Sequence, residues 1–329
     1  MIDRKRLQRG FAALFAFAAA CLVGAGAAAQ ANDFPNKPIN LVIPYQPGSG
    51  TDQVGRLLAQ GLTAELKVPV VIENKPGGNG FIAARQVASA PPDGYTMILG
   101  GSTSHAANPH MFKQLPYDPV KDFTPVSVVF RSYMVLVVNA ASPAKSFTDL
   151  VNMARKSPGK LTVGIGSASG RVAAEMLRQT AKLDMVNVPY KGNPQGVADL
   201  IGGQIDFMFT DPVTALAQVS GGKLRALAVT SKHRLDKFAE VPTVDESGFK
   251  GYEVSIWIGL YLPARVPPAV LERISAATSK VLLSNELQEF GNKNLYEIKP
   301  TSPEQLAKFQ AAETDTLGRV LRAAGVMPE

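Results

Sequence analysis

One unit recurs along this chain: a short apolar run, a glycine-rich stretch, then a segment with apolar residues at helical spacing. Ile39-Asn40-Leu41-Val42-Ile43 leads through Pro44-Tyr45-Gln46-Pro47-Gly48-Ser49-Gly50-Thr51 to a helix expected over Asp52 to Leu66, with Val54, Leu57, Leu58, Leu62 and Leu66 on one face. Val70-Val71-Ile72 leads through Asn74 to Gly80 into a helix over Phe81 to Ala88, and Thr96 to Leu99 runs into Gly100-Gly101-Ser102-Thr103-Ser104. Strands apolar throughout are buried on both faces, so three such units in a row predict a parallel sheet covered by helices.

A second set follows. It has strands at Met134–Val138, Leu161–Val163, Val186–Val188, Phe207–Phe209 and Leu224–Val229, with helices over Phe147–Lys156, Arg171–Lys182 and near Gly196–Leu200. Tyr252 to Leu262 reads as extended, and amphipathic helices are expected over Pro268–Asn285 and Pro303–Ala324. No low-complexity linker parts the two sets, so the chain is expected to cross between two lobes on strands, near 131–135 and again near 250–258. Residues 32–132 with 254–329 then form one discontinuous lobe and 133–253 the other. The expected fold class is α/β and two-lobed, each lobe a mainly parallel or mixed sheet flanked by helices. Ligands of such sheets bind outside the C-terminal ends of the strands, which places the glycine and serine loops in a cleft between lobes.

Residues 1–31 read as a secretory leader: Arg4, Lys5, Arg6 and Arg9, an apolar run from Phe11 to Ala25, and the small-x-small Ala29-Gln30-Ala31. The apolar run, ~15 residues, falls short of the ~20 a spanning helix needs. Cleavage is expected after Ala31, although Ala18-Ala19-Ala20 before Cys21 also offers a weak lipidation site. Removing the leader removes Cys21, the one cysteine, which suits an oxidising compartment and a periplasmic location. The leader holds four basic residues against Asp3, so the net charge of +7 leaves +4 to the exported chain. That surplus, scattered rather than striped, does not argue for nucleic acid, and no second apolar run argues for stable insertion of the mature chain in a membrane.

Pro44 to Asp52 joins a strand to a helix. There glycines let backbone N–H groups converge and the helix N-terminus favours negative charge, so the segment suits a carboxylate. As a plain turn it would need only Thr51 or Asp52 as a cap; its recurrence in Pro76–Gly80 and Gly166–Gly170 favours binding. Gly164–Gly170 has the spacing G-x-G-x-x-x-G, and the next strand ends in Pro189-Tyr190 without an acid for a ribose, so no dinucleotide is expected. Arg171 opens the following helix, where a guanidinium can hold a carboxylate by two parallel bonds. Tyr133, Tyr190 and Trp257 stand beside strand ends or crossings, where aromatic faces can flank a ligand, although each alone is an ordinary core residue. For catalysis the chain lacks a G-x-S-x-G elbow; Ser102 or Ser104 with a remote histidine is the one arrangement left. His105 and His110, five apart and without cysteine or H-E-x-x-H, do not make a zinc site.

Phe34–Ile39, Val42–Asp52, Val71–Gly80, Pro92-Asp93-Gly94-Tyr95-Thr96, Leu115–Pro119, Val188–Gly192, Gly202–Asp206, Leu224–Thr230 and Trp257–Leu260 together resemble the tripartite tricarboxylate transporter receptors, or Bug-type proteins, over nearly the whole exported chain. The resemblance implies a type II-like periplasmic binding protein that closes on a carboxylate and docks to a membrane permease, with neither catalysis nor cofactor. It implies binding by Tyr45, Gln46, Gly48, Ser49, Gly50, Thr51, Asp52, Asn79 and Gly80 of lobe 1, while Ser102 and Ser104 are expected in the same cleft from their loop after the third strand. Lobe 2 would add Ser167, Ser169, Tyr190 and Asp211. The chain departs from the family at Arg171, where a histidine is common, and at Tyr133, where a proline is common. Arg171 favours a second carboxylate and Tyr133 a flat body, so a dicarboxylate, aromatic or aliphatic, or a citrate-like tricarboxylate is expected. A ligand sensor for a signalling partner would need the same cleft, and a secreted hydrolase would need a base that the sequence does not show.

Overall fold

The computed structural model describes residues 34–323 except Lys191, together with Gly325 and Pro328; the expected leader, its cleavage point and Cys21 lie outside the described residues. Strand β1 (Ile39–Ile43) lies between β2 (Val70–Asn74) and β3 (Thr96–Gly101) and runs parallel to both, which buries Leu41, Val42 and Ile43 completely. Helix α1 (Gly50–Leu66) starts where the Ser49 hydroxyl accepts the Asp52 N–H at 3.2 Å, and stops at Lys67, whose φ of 63° turns the chain left-handed. Helix α2 (Phe81–Ala88) follows β2; a π-helical turn, Ser102–Ala107, follows β3 and runs into the short α3 (Asn108–Met111).

The parallel run then breaks. Strand β4 (Phe123–Tyr133) is an edge strand, and β10 (Ser255–Pro263), from much later in the chain, inserts antiparallel between β3 and β4, giving the order β2-β1-β3-β10-β4. The second sheet has the order β7-β6-β8-β5-β9. Its members are β5 (Val135–Asn139), β6 (Thr162–Ile165), β7 (Val186–Pro189), β8 (Phe207–Thr210) and β9 (Leu224–Val229). Strand β6 runs parallel to β7 and β8, and β5 antiparallel to β8 and β9. Its helices are α4 (Phe147–Lys156), α5 (Ala168–Ala181), α6 (Asn193–Ile201) and α7 (Pro212–Ser220). Three helices end the chain: α8 (Pro268–Leu282), α9 (Asn285–Asn294) and α10 (Pro303–Ala323).

The two sheets meet where β4 passes into β5 through Met134 and where the chain returns at Val254 into β10. Thr230, fully buried, clasps both passages: its hydroxyl accepts the Met134 N–H at 2.8 Å and donates to the Val254 carbonyl at 2.6 Å. Helix α10 packs on β4 and the π turn of lobe 1 and on α5 of lobe 2, so the C-terminal helix spans both halves. Helices α7 and α9 add to the pattern expected from sequence. The first is short and leaves Val213 exposed, so its apolar period is weak. The second is split from α8 by Ser284, whose hydroxyl caps it through the Leu287 N–H. Among the described residues no helix is long and apolar enough to cross a membrane.

Candidate ligand cleft

On lobe 1 the loop from Pro44 to Ser49 is held from inside by Asp52. Its carboxylate, 1% exposed, accepts the Gly48 N–H at 2.8 Å, both Arg56 Nε and Nη2 at 2.9 and 3.1 Å, and Asn74 Nδ2 at 2.8 Å. Asn74 Nδ2 also donates to the Tyr45 carbonyl at 3.1 Å, which ties the first loop to the second strand. Burial pushes the Asp52 carboxyl up, but the hydrogen bonds from Arg56, Gly48 and Asn74 outweigh it and hold the group below the usual carboxylate range. Its charge is thereby consumed within the loop.

Asn79 is left-handed at φ 50°, and its carbonyl accepts Asn108 Nδ2 at 3.0 Å. A Cβ on Gly80 would stand 3.4 Å from the Ser104 Cβ and 3.6 Å from the Pro44 Cβ, so all three loops of lobe 1 meet at that glycine. Tyr45 is half-buried; burial raises its hydroxyl pKa, against a bond to the Thr103 side chain. Gln46 and Gly48 are exposed, Ser49 and Gly50 half-buried, and Thr51 and Ser102 buried.

Ser104 and His105 are neighbours in a way the sequence reading did not weigh. Ser104 Oγ lies 2.9 Å from His105 Nδ1 and accepts the Gly101 N–H at 3.2 Å. Yet Ser104 is 3% exposed, and His105 is fully buried and stacked on Tyr261 at 4.2 Å. Burial lowers the imidazole to about 3, and its Nε2 makes no hydrogen bond to a described residue. A catalytic histidine needs an orienting acid there and a reachable hydroxyl beside it; this pair has neither.

On lobe 2 each loop is tied to its own helix. Ser167 Oγ accepts the Gly170 N–H at 3.0 Å and caps α5, with Ser169 half-buried in the first turn. Arg171 is exposed, and its guanidinium has no hydrogen bond or ion pair among the described residues. Asp211 caps α7 through the Thr214 N–H at 2.8 Å and accepts the Thr210 hydroxyl at 3.3 Å. Tyr190 turns inward: its hydroxyl donates to Asp199 at 2.9 Å, and its ring packs on Gly164 and Gly196. Of the aromatic residues expected to flank a ligand, Trp257 offers no ring face, whereas Tyr133 lines a cavity of about 720 Å³ together with His233 and Tyr296. Tyr133 is 4% exposed with its hydroxyl on Glu297 at 3.3 Å, and Trp257 is fully enclosed under Phe309.

The two sides approach one another at Tyr296, which sequence reasoning missed. Its ring stacks on Phe130 at 4.6 Å, a Cβ on Gly50 would overlap its hydroxyl, and the hydroxyl pKa is raised by burial and by the charge of Asp211 across the gap. The start of α1 on lobe 1 therefore faces the start of α7 on lobe 2. No pattern around Asn294-Leu295-Tyr296 marks this in the sequence.

Two α/β lobes joined by two passages, with helix N-termini and short polar loops turned into the gap, define a solute-binding receptor. The chain belongs to the tripartite tricarboxylate transporter receptor family, whose profile matches residues 54–326. A UPF0065 protein of Bordetella pertussis is 31% identical to it, over 98% of this chain and 100% of its own length. A Rhodopseudomonas palustris protein solved with adipate superposes with a TM-score of 0.78 at 30% identity, covering 90% of this chain and 100% of that one. MatC from the same organism, solved with bound malate, gives 0.72 at 28% identity, covering 88% and 100%. The family is one of substrate-binding receptors of the periplasmic binding protein type.

Proposed function

We propose that this receptor captures a small carboxylate in the periplasm and hands it to the membrane permease of a tripartite tricarboxylate transporter, with no chemistry of its own. In this reading the leader is cut after Ala31, lobe 1 comprises 32–132 with 254–329, and lobe 2 comprises 133–253. The observation that carries the reading is the fate of Asp52. Because its charge is matched inside the loop, the first amides of α1 at Gly50 and Thr51, which have no carbonyl in their own helix, are left for an anion.

A di- or tricarboxylate fits best, with an aliphatic or an aromatic body such as that of terephthalate. One carboxylate lies against the lobe-1 loops from Tyr45 to Thr51, Asn79 and Gly80, and the other is drawn to Arg171 beside Ser167 and Ser169. Adipate and malate, seen in two related receptors, are both dicarboxylates. A ligand touching both lobes favours the closed state through its added contacts there. The deciding experiment is a thermal-shift screen of ligand-free protein against mono-, di- and tricarboxylates, since a ligand that binds only the folded state raises the midpoint. A rise with a dicarboxylate is expected; no rise with any carboxylate overturns the reading.

A further inference from the structure

Helix α10 packs against β4 and reaches the connecting strands with Phe309 and Glu313. Arg131 on β4 sends Nη2 to Glu253 at 3.0 Å, and its guanidinium lies 4.9 Å over Phe309 and 5.4 Å over Tyr133; its Nε is buried without a partner. Glu253 also pairs with Lys232 at 3.3 Å. From α10, partly buried Glu313 accepts the Ser255 hydroxyl at 3.3 Å. The buried Trp257 indole N–H faces the same carboxyl without closing a hydrogen bond to it. Two carboxylates, Glu253 at the end of lobe 2 and Glu313 on the terminal helix of lobe 1, thus stand near one guanidinium, which among the described residues is ion-paired to Glu253.

A cavity of about 490 Å³ opens beside them, between Gln179 and Thr180 of α5, Glu313 and Arg319 of α10, and Lys232 with Glu253. Beyond it Gln179 Nε2 donates to the Val320 carbonyl at 2.9 Å, which fastens α5 to α10. Helix α5 carries Ser167 and Arg171 at its other end, so a change where it meets α10 reaches the cleft.

We propose that Glu313 is a proton-controlled stop on lobe movement. With its proton, it lets α5 and α10 lie together across the hinge. When it releases the proton to solvent, it repels Glu253, draws water into the cavity and parts the two helices. Burial pushes the Glu313 carboxyl up to about 7, Glu253 adding to the rise while Arg131, Ser255 and Trp257 oppose it. The inference rests on the receptor reading for its use, because closure matters only to a protein that closes on a ligand.

The test reads the lobes without ligand. Fluorophores on Gln60→Cys of α1 and Ala198→Cys of α6, both exposed positions on opposite lobes, report the interlobe distance by energy transfer from about pH 5 to about pH 9. A sigmoidal change with its midpoint near 7 is expected, flat in Glu313→Gln and shifted to lower pH in Glu253→Gln, which removes the repelling charge. The other charged or titratable groups near these elements are Lys232 and Arg319 in the cavity wall, Glu297, whose backbone bridges to Arg131, His110, at the Thr314 carbonyl (2.9 Å), and His233, edge-on to Tyr133 (5.8 Å). The Glu313→Gln curve separates their part. No change in the parent protein, the same change in Glu313→Gln, or an unmoved midpoint in Glu253→Gln overturns the proposal. Failure of every carboxylate in the thermal screen overturns the receptor reading and leaves this curve standing.

Discussion

The loops of lobe 1 are bonded to one another, whereas those of lobe 2 are bonded each to its own helix. Asp52 joins the first loop to Asn74, Asn108 holds the Asn79 carbonyl, and Gly80 seats the second loop on Ser104 and Pro44. Across the cleft Ser167 caps α5, Asp211 caps α7 and accepts the neighbouring Thr210 hydroxyl, and Arg171 stands exposed. A wall whose groups are already fixed loses little entropy when a ligand arrives, while a loosely tied wall can fit different ones. On the proposed function, lobe 1 would hold the carboxylate that the ligands share and lobe 2 would choose among their remote ends.

The largest effect should follow from cutting the lobe-1 network at its centre. Asp52→Ala removes the acceptor shared by the Gly48 amide, Asn74 and the half-exposed Arg56 and is expected to cost about 2–3 kcal/mol of stability in urea melts. Affinity should fall for every carboxylate alike, because the whole loop moves. A variant that keeps its stability and loses only one ligand would break the comparison.

Acid should also find lobe 1 first. His105 is held neutral, its pKa lowered from 6.5 to about 3, so the stability it contributes is present above 6.5 and is lost as pH falls toward 3. Asp52, held below the usual carboxylate range, acts in the same direction at lower pH. Glu313 has the opposite sign: its contribution is present below its ordinary 4.5 and is lost as pH rises through 7. Between about pH 6 and pH 3 roughly 2–3 kcal/mol of the loss is expected to come from His105. Urea melts across that range should show a shallower slope in His105→Asn; an unchanged slope would show that the imidazole is not the acid-sensitive group.

On lobe 2, Arg171→Ala should leave the melting temperature where it is and weaken a dicarboxylate by about 1.5–3 kcal/mol, some ten- to a hundredfold in Kd by calorimetry. A monocarboxylate should bind as before. Equal weakening of both would mean that Arg171 acts on the shared carboxylate and that selectivity is not divided between the lobes as argued.

Much of the frame was legible because the strands are short apolar runs closed off by glycines. Helices α2 and α4 and strand β9 fall on the expected residues. The insertion of β10 between β3 and β4 was not legible, since strand pairing and direction are set by tertiary packing rather than by local pattern. In the cleft, the glycine loops announced themselves because Gly48, Asn79 and Gly80 adopt positive φ. Side-chain direction did not: that Tyr190 faces Asp199, that Asp52 is spent on its own loop and that Tyr296 reaches Gly50 all depend on distant partners.

The smallest effect distinguishes a cap from a ligand contact. Ser167→Ala removes one hydrogen bond at the start of α5 and is expected to cost about 1 kcal/mol of stability, well below the loss at Asp52, because the bond serves a single helix end. If the hydroxyl also donates to a bound carboxylate, calorimetry should show weaker binding beyond what the melt explains, and Ser167→Thr, which keeps the hydroxyl, should restore it. If the melt and the affinity fall together and threonine restores neither, the loop is fixed by more than its own helix. The lobe-2 wall would then be as preorganised as the wall opposite.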